Sequence, residues 1–204
     1  MIRLLIVILL ASSIFACEIK PPKKTSLPIL GEKEVVKGDT IYHTIPDYTF
    51  VNQDSVVITP ETFDGKAYIV DYFFTSCPTI CPKVKANTLR IEERFRDNEN
   101  LSILSVSIDP KYDTIPRLKW YANKLELDTK QWHFVTGEKD LIYGIANDFF
   151  HIAMENEDAP GGFDHDGRLI LIDKQKHIRS FCDGTDAEDV DRFMEDIDLL
   201  LSEK

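Results

Sequence analysis

A chain of 204 residues with 35 acidic against 24 basic side chains carries a formal charge of −11. Such a surface repels phosphate backbones, which argues against nucleic acid as a partner and favours cationic partners or metal ions. The length suits one folded domain, and neither an internal repeat nor a low-complexity tract is present.

Met1-Ile2-Arg3 is a short positive start, followed by an apolar stretch over residues 4–16 and then Cys17. That stretch is too short to span a bilayer, which takes about 20 apolar residues, and reads as a signal peptide. Ile14-Phe15-Ala16-Cys17 resembles a bacterial lipobox. On that resemblance residues 1–16 are removed, Cys17 becomes the lipidated first residue, and the protein is membrane-anchored outside the cytoplasm, on the periplasmic side in a Gram-negative cell. Residues 17–40 hold Pro21, Pro22, Pro28 and Gly31 with little periodicity and read as a tether, which leaves 41–204 as the folded domain.

Within that domain, strand segments at 48–50 and 56–58 form an N-terminal hairpin. Residues 67–74 are β-branched, aromatic and nearly all apolar, as in a central strand buried on both faces. Phe73-Phe74-Thr75-Ser76-Cys77-Pro78-Thr79-Ile80-Cys81-Pro82 follows, and Val84, Thr88, Ile91 and Phe95 then recur at helical spacing. A strand over 101–108 stops at Asp109-Pro110. A helix begins near Thr114 with Pro116 in its first turn, and another spans about 139–149. Residues 155–164 form an acidic, glycine-containing loop without regular pattern, and 169–172 and 178–181 form a second hairpin. Thr185-Asp186-Ala187-Glu188 reads as a capping box ahead of a helix whose inward face is Val190, Phe193, Ile197 and Leu200. This order is that of an α/β, thioredoxin-like fold: a central mixed β-sheet flanked by helices, with an N-terminal β-hairpin extension.

Cys77 and Cys81 lie at the strand-to-helix turn, where backbone N–H groups and the helix dipole favour thiolates. Thiolates serve both metal binding and disulfide exchange, so this placement leaves both open. Thioredoxins separate their cysteines by two residues and place a cis-proline before the neighbouring strand. Here three residues intervene, and His165 stands where that proline would be, with no proline between Asp164 and Asp173. Two thiolates and an imidazole suit Cu(I), and Cu(II) with an added ligand, whereas a structural zinc site ordinarily takes four protein ligands. His43, His133, His151 and His177 lack that context and read as surface or hydrogen-bonded residues, His151 being the one that precedes the same loop.

Three pieces in order, Cys77-Pro78-Thr79-Ile80-Cys81-Pro82, Ser107-Ile108-Asp109-Pro110-Lys111-Tyr112-Asp113-Thr114, and Asp164-His165 followed by Leu171-Ile172-Asp173, resemble the Sco (SenC) proteins, thioredoxin-like copper chaperones for the binuclear copper centre of cytochrome c oxidase. The resemblance implies copper as cofactor, with Cys77, Cys81 and His165 as its ligands. It also implies a copper donor (a protein or the free ion) and the copper-bearing oxidase subunit as partners. The alternative is a thiol–disulfide oxidoreductase in which Cys77 and Cys81 reduce the cysteines of the oxidase copper site. Asp164 either orients His165 or stands as an exposed loop acid. Asp109 and Asp113 shape and cap a loop, and Cys182 reads as a buried, inert thiol.

Overall fold

The computed structural model describes residues 25–127 and 130–203; the leader, Cys17 and the first part of the tether lie outside them. The described chain opens with a hairpin of β1 (Lys33–Val36) and β2 (Asp39–Tyr42), turned at Lys37 and Gly38, both with positive φ as a two-residue hairpin turn requires. This hairpin falls within the segment expected to be a tether. Its residues are exposed on both faces, so no alternating pattern marks it in the sequence. Upstream of it, Leu27 is already buried, so the folded part begins well before residue 41.

A seven-stranded sheet runs in the order β11-β10-β5-β6-β7-β3-β4. Its centre is β5 (Ala67–Phe73), β6 (Leu101–Ser107) and β7 (Trp132–Thr136), all parallel. The helices α1 (Cys81–Phe95) and α2 (Ile115–Lys124) make the crossovers between them. β3 (Phe50–Asn52) and β4 (Val57–Ile58) are the expected N-terminal hairpin, added antiparallel to β7. After β7 come the short helix α3 (Lys139–Gly144) and a separate 3-10 turn, Asn147–Phe149, where one continuous helix was expected. The 155–164 loop is in fact the connection of a small antiparallel pair, β8 (Ala153–Glu155) and β9 (Phe163–His165). β10 (Arg168–Ile172) and β11 (Ile178–Asp183) form the second hairpin, and α4 (Ala187–Ser202) closes the chain. Its N-cap is Asp186, whose carboxylate accepts from the N–H groups of Glu188 and Asp189. Thr185 instead donates to Asp183 and Asp189 accepts from the Asp183 N–H, so the cap falls one residue later than expected and is a simple aspartate cap in place of a capping box.

β5 is buried along its whole length because both of its faces are covered. On one, Phe73 meets Lys85 of α1 and Tyr121 of α2, while α1 is tied to α4 by the Arg90–Asp191 and Arg94–Asp198 ion pairs. On the other, Tyr68 stacks on Phe63, and Tyr72 packs against Phe149 and His151. No helix among the described residues is long and apolar enough to cross a membrane.

Candidate metal centre

Three side chains from two distant parts of the chain converge at the carboxyl end of β5. Cys77 sits in the turn after the strand, its N–H bonded to the Phe74 carbonyl, and Cys81 is the first residue of α1 with Pro82 directly behind it. β10 runs antiparallel to β5 with Ile170 opposite Val70, and continuing that register brings residue 165 level with the cysteine turn. His165 Nε2 lies 3.5 Å from Cys77 Sγ and 3.4 Å from Cys81 Sγ. All three ligand atoms fall within 4.8 Å of one another, with both cysteines buried and the histidine half-buried at the rim. Metal–sulfur and metal–nitrogen bonds of about 2.3 and 2.0 Å place S and N about 3.5–3.7 Å apart around one ion, so the donors already stand near that spacing.

The two sulfurs share charge unequally. The contact from Cys81 holds the Cys77 thiol far below the ordinary cysteine range, against the opposing effect of burial, with His165 and the N–H groups of Thr79 and Cys81 adding to it. The same contact, together with burial, pushes Cys81 up. The contact therefore favours one thiolate and one thiol within the pair, with the charge drawn toward Cys77.

A model of the SCO1/SenC family matches residues 37–202. The chain belongs to the SCO1/SenC family. It is 25% identical over 161 residues to the SCO1 protein homologue of Bacillus subtilis, covering 78% of this chain and 83% of that one. A SCO1/SenC family lipoprotein from Bacillus anthracis superposes with a TM-score of 0.71 at 25% identity, covering 78% of this chain and 95% of that one. Arabidopsis thaliana ScoI, solved with copper bound, has a TM-score of 0.63 at 20% identity, over 74% of this chain and 94% of that one, a likeness of fold.

Around the cluster, aromatic rings and buried polar groups hold the three side chains in place. Asp164 accepts a 2.6 Å hydrogen bond from Asn156 Nδ2 and makes no hydrogen bond to His165 among the described residues. Successive strand residues face opposite sides, so in β9 the carboxylate of 164 is turned away from the imidazole of 165. The His165 ring is held by aromatic packing: the edge of Phe74 meets it at 5.1 Å between centroids, and Phe163 backs Phe74 at 5.0 Å. Gly161, at φ +84°, lets the β8–β9 connection pass so close that a Cβ there would lie 2.8 Å from the Phe74 ring.

Asp113 does more than shape its own loop. Fully buried, it accepts from the Thr75 N–H at 2.9 Å, the Thr75 hydroxyl at 2.5 Å and the Ser107 hydroxyl at 2.6 Å, binding the β6–α2 loop to the cysteine turn. His151 turns to Asp166, Nδ1 donating at 2.8 Å, and lies against Tyr72. It is thus a packing residue that fixes the backbone next to His165. Two residues pass unmarked in the sequence, Asp71 in the apolar strand and Lys85 in α1; they form a fully buried ion pair of 2.8 Å, with Lys85 one helical turn beyond Cys81. Cys182 is buried in β11, its thiol pushed up by that burial.

Proposed function

We propose that this chain is an extracytoplasmic copper metallochaperone. Cys77 and Cys81 bind copper as thiolates, His165 completes the site, and the metal passes by ligand exchange to the binuclear copper centre of cytochrome c oxidase. The observation that carries the reading is the convergence of two buried sulfurs and one rim imidazole with no carboxylate in the cluster, a soft donor set that favours Cu(I) over hard cations. The half-exposed imidazole is the ligand an incoming partner reaches first, which gives exchange an entry side. Residues 1–16 act as leader and Cys17 as lipid anchor, a reading supported by the lipoprotein from Bacillus anthracis. Copper binding is supported by the copper-bound plant relative.

The test is titration of the reduced protein with Cu(I) against a competing chelator, for wild type and His165→Ala. Losing the imidazole should weaken binding at least about tenfold, since even an outer partner of a ligand is worth that much. Unchanged affinity would remove the site as drawn.

The unequal thiols favour a second reading, reduction of a partner disulfide. The Cys77 thiolate attacks one partner sulfur and the other leaves as a thiolate. Cys81 then gives up its proton and attacks Cys77, releasing the second partner thiolate and leaving a Cys77–Cys81 disulfide, with two electrons passed to the partner. In that case Cys77→Ser abolishes exchange and His165→Ala retains it; wild-type exchange no faster than that of a free thiol rules the reading out.

A further inference from the structure

Helix α2 carries Arg117, Lys119 and Lys124 and no acid, in a chain whose formal charge is −11. Lys119 is paired with Asp54. The other two bracket Trp120, an indole left 47% exposed: the Arg117 guanidinium lies 4.2 Å from its ring and the Lys124 ammonium 5.4 Å. Arg117 also stacks on Tyr112, 52% exposed, at 5.0 Å. Lys111, next to Tyr112 in the chain, is exposed. Among the described residues Lys111, Arg117 and Lys124 form no ion pair. The face is continuous with the metal centre, because Arg117 Nε donates to Thr75 Oγ1 at 2.9 Å, two residues before Cys77.

Stacking occupies the flat faces of the guanidinium and leaves its terminal N–H donors for a carboxylate. Arg, Trp and Tyr are also the side chains that dominate binding at protein interfaces, and an indole in contact with two cations has less freedom left to lose. Charge is polarised across the sheet. α4, with six acids to one arginine, packs on β11 at one end of the strand order, whereas α2 packs on β7 and β3 towards the other. A partner that presents negative charge is therefore steered to the α2 side and away from α4.

We infer that the Tyr112, Arg117, Trp120 and Lys124 face is the docking surface for an acidic patch on the protein that exchanges copper with Cys77, Cys81 and His165. The inference rests on the copper reading and names how the partner of that site is recognised. The probe is the soluble copper-bearing domain of the host's cytochrome c oxidase, titrated by calorimetry into the metal-free full chain. Wild type is compared with Lys111→Glu/Lys124→Glu, with Trp120→Ser, and with Lys33→Glu/Lys37→Glu, which makes the same charge change on the exposed β1–β2 hairpin.

Reversing the patch should weaken binding at low salt by about tenfold or more, with the hairpin control changing it less than about twofold. Trp120→Ser should weaken binding while leaving its salt dependence unaltered. Equal losses in patch and control, or no binding by wild type, overturn the surface. Copper transfer is followed in parallel, with the same variants first loaded with Cu(I) and then mixed with the copper-free oxidase domain. Binding that tracks the patch with no copper moving overturns delivery and keeps the surface; transfer at an unchanged rate from the patch-reversed chain overturns the surface and keeps delivery.

Discussion

A lysine ammonium beneath two cysteines is the residue whose environment says most about the site. Lys85 Nζ is buried, donates to Asp71 at 2.8 Å and Ser105 at 3.1 Å, and lies 4.5 to 5.3 Å from the rings of Phe73, Trp132 and Phe134. Removing one partner of such a pair leaves the other charge uncompensated, at a cost of about 3–5 kcal/mol, whereas removing both costs far less. Asp71→Asn and Lys85→Met should each lower the urea unfolding free energy by about that amount, and the double variant by well under their sum. Strict additivity would mean that the two charges do not compensate each other. The Lys85 charge also favours the Cys81 thiolate. The double variant restores the fold without the cation, so its Cu(I) affinity should fall below wild type while its stability recovers.

At the scale of elements, the strand β5 and helix α1 that carry the cysteines are legible because their patterns are long: seven residues buried on both faces, then Val84, Thr88, Ile91 and Phe95, three apolar side chains and a threonine, at helical spacing. His165 is legible through the hairpin that follows it. β7 is not, because it is five residues long and its alternation over Trp132, His133 and Phe134 is broken by the buried Val135. β8 and β9, three residues each and partly exposed, give no pattern either. Asp71 and Lys85 lie in different elements, and nothing in the order of residues brings them together. β7 also holds a titratable joint. Asn52 Oδ1 accepts from the N–H groups of Asp54 and Val56, which turns its Nδ2 to donate to His133 Nδ1 at 3.3 Å. Burial, with the charge of Lys66 adding, holds His133 below the ordinary histidine range. The folded state thus binds this proton less readily than the unfolded chain, whose histidine titrates near about 6.5. The contribution is full above that value and is lost as pH falls below it. Thermal melts should show a lower midpoint at pH 5.5 than at pH 7.5, and His133→Gln should flatten that part of the profile. A variant profile parallel to wild type would place the acid sensitivity elsewhere.

For the molecule as a whole, the candidate metal centre and the first anchored residues of the described chain, Leu27 and Pro28, lie toward opposite ends of β5. The Cys77, Cys81 and His165 cluster stands past the carboxyl end of β5, whereas residues 27–45 fasten chiefly to the start of β11, the turn before it and the residue after α4, with His43 reaching the Asp148 carbonyl. The Leu27 N–H donates to Glu203, Arg179 bonds the carbonyls of Leu27 and Pro28 together with Glu203, and the N–H groups of Leu30 and Ile45 reach the carbonyls of Ile178 and Lys176. The segment thereby covers part of the β11 edge, which would otherwise present unpaired backbone. A chain beginning at residue 43 loses the burial of Leu27, about 1.5–3 kcal/mol, and several hydrogen bonds of about 1 kcal/mol each. Urea unfolding should therefore show it less stable than a chain beginning at residue 25 by up to about 5–7 kcal/mol, less the entropy of ordering the segment, and Arg179→Ala alone reproduces part of that loss. Cu(I) affinity, measured by chelator competition on the same two proteins, should be equal, because no residue of the segment touches the Cys77, Cys81 and His165 cluster. Equal stability would mean that residues 25–42 are tether after all, and a parallel loss of copper would mean that the two ends of β5 are coupled.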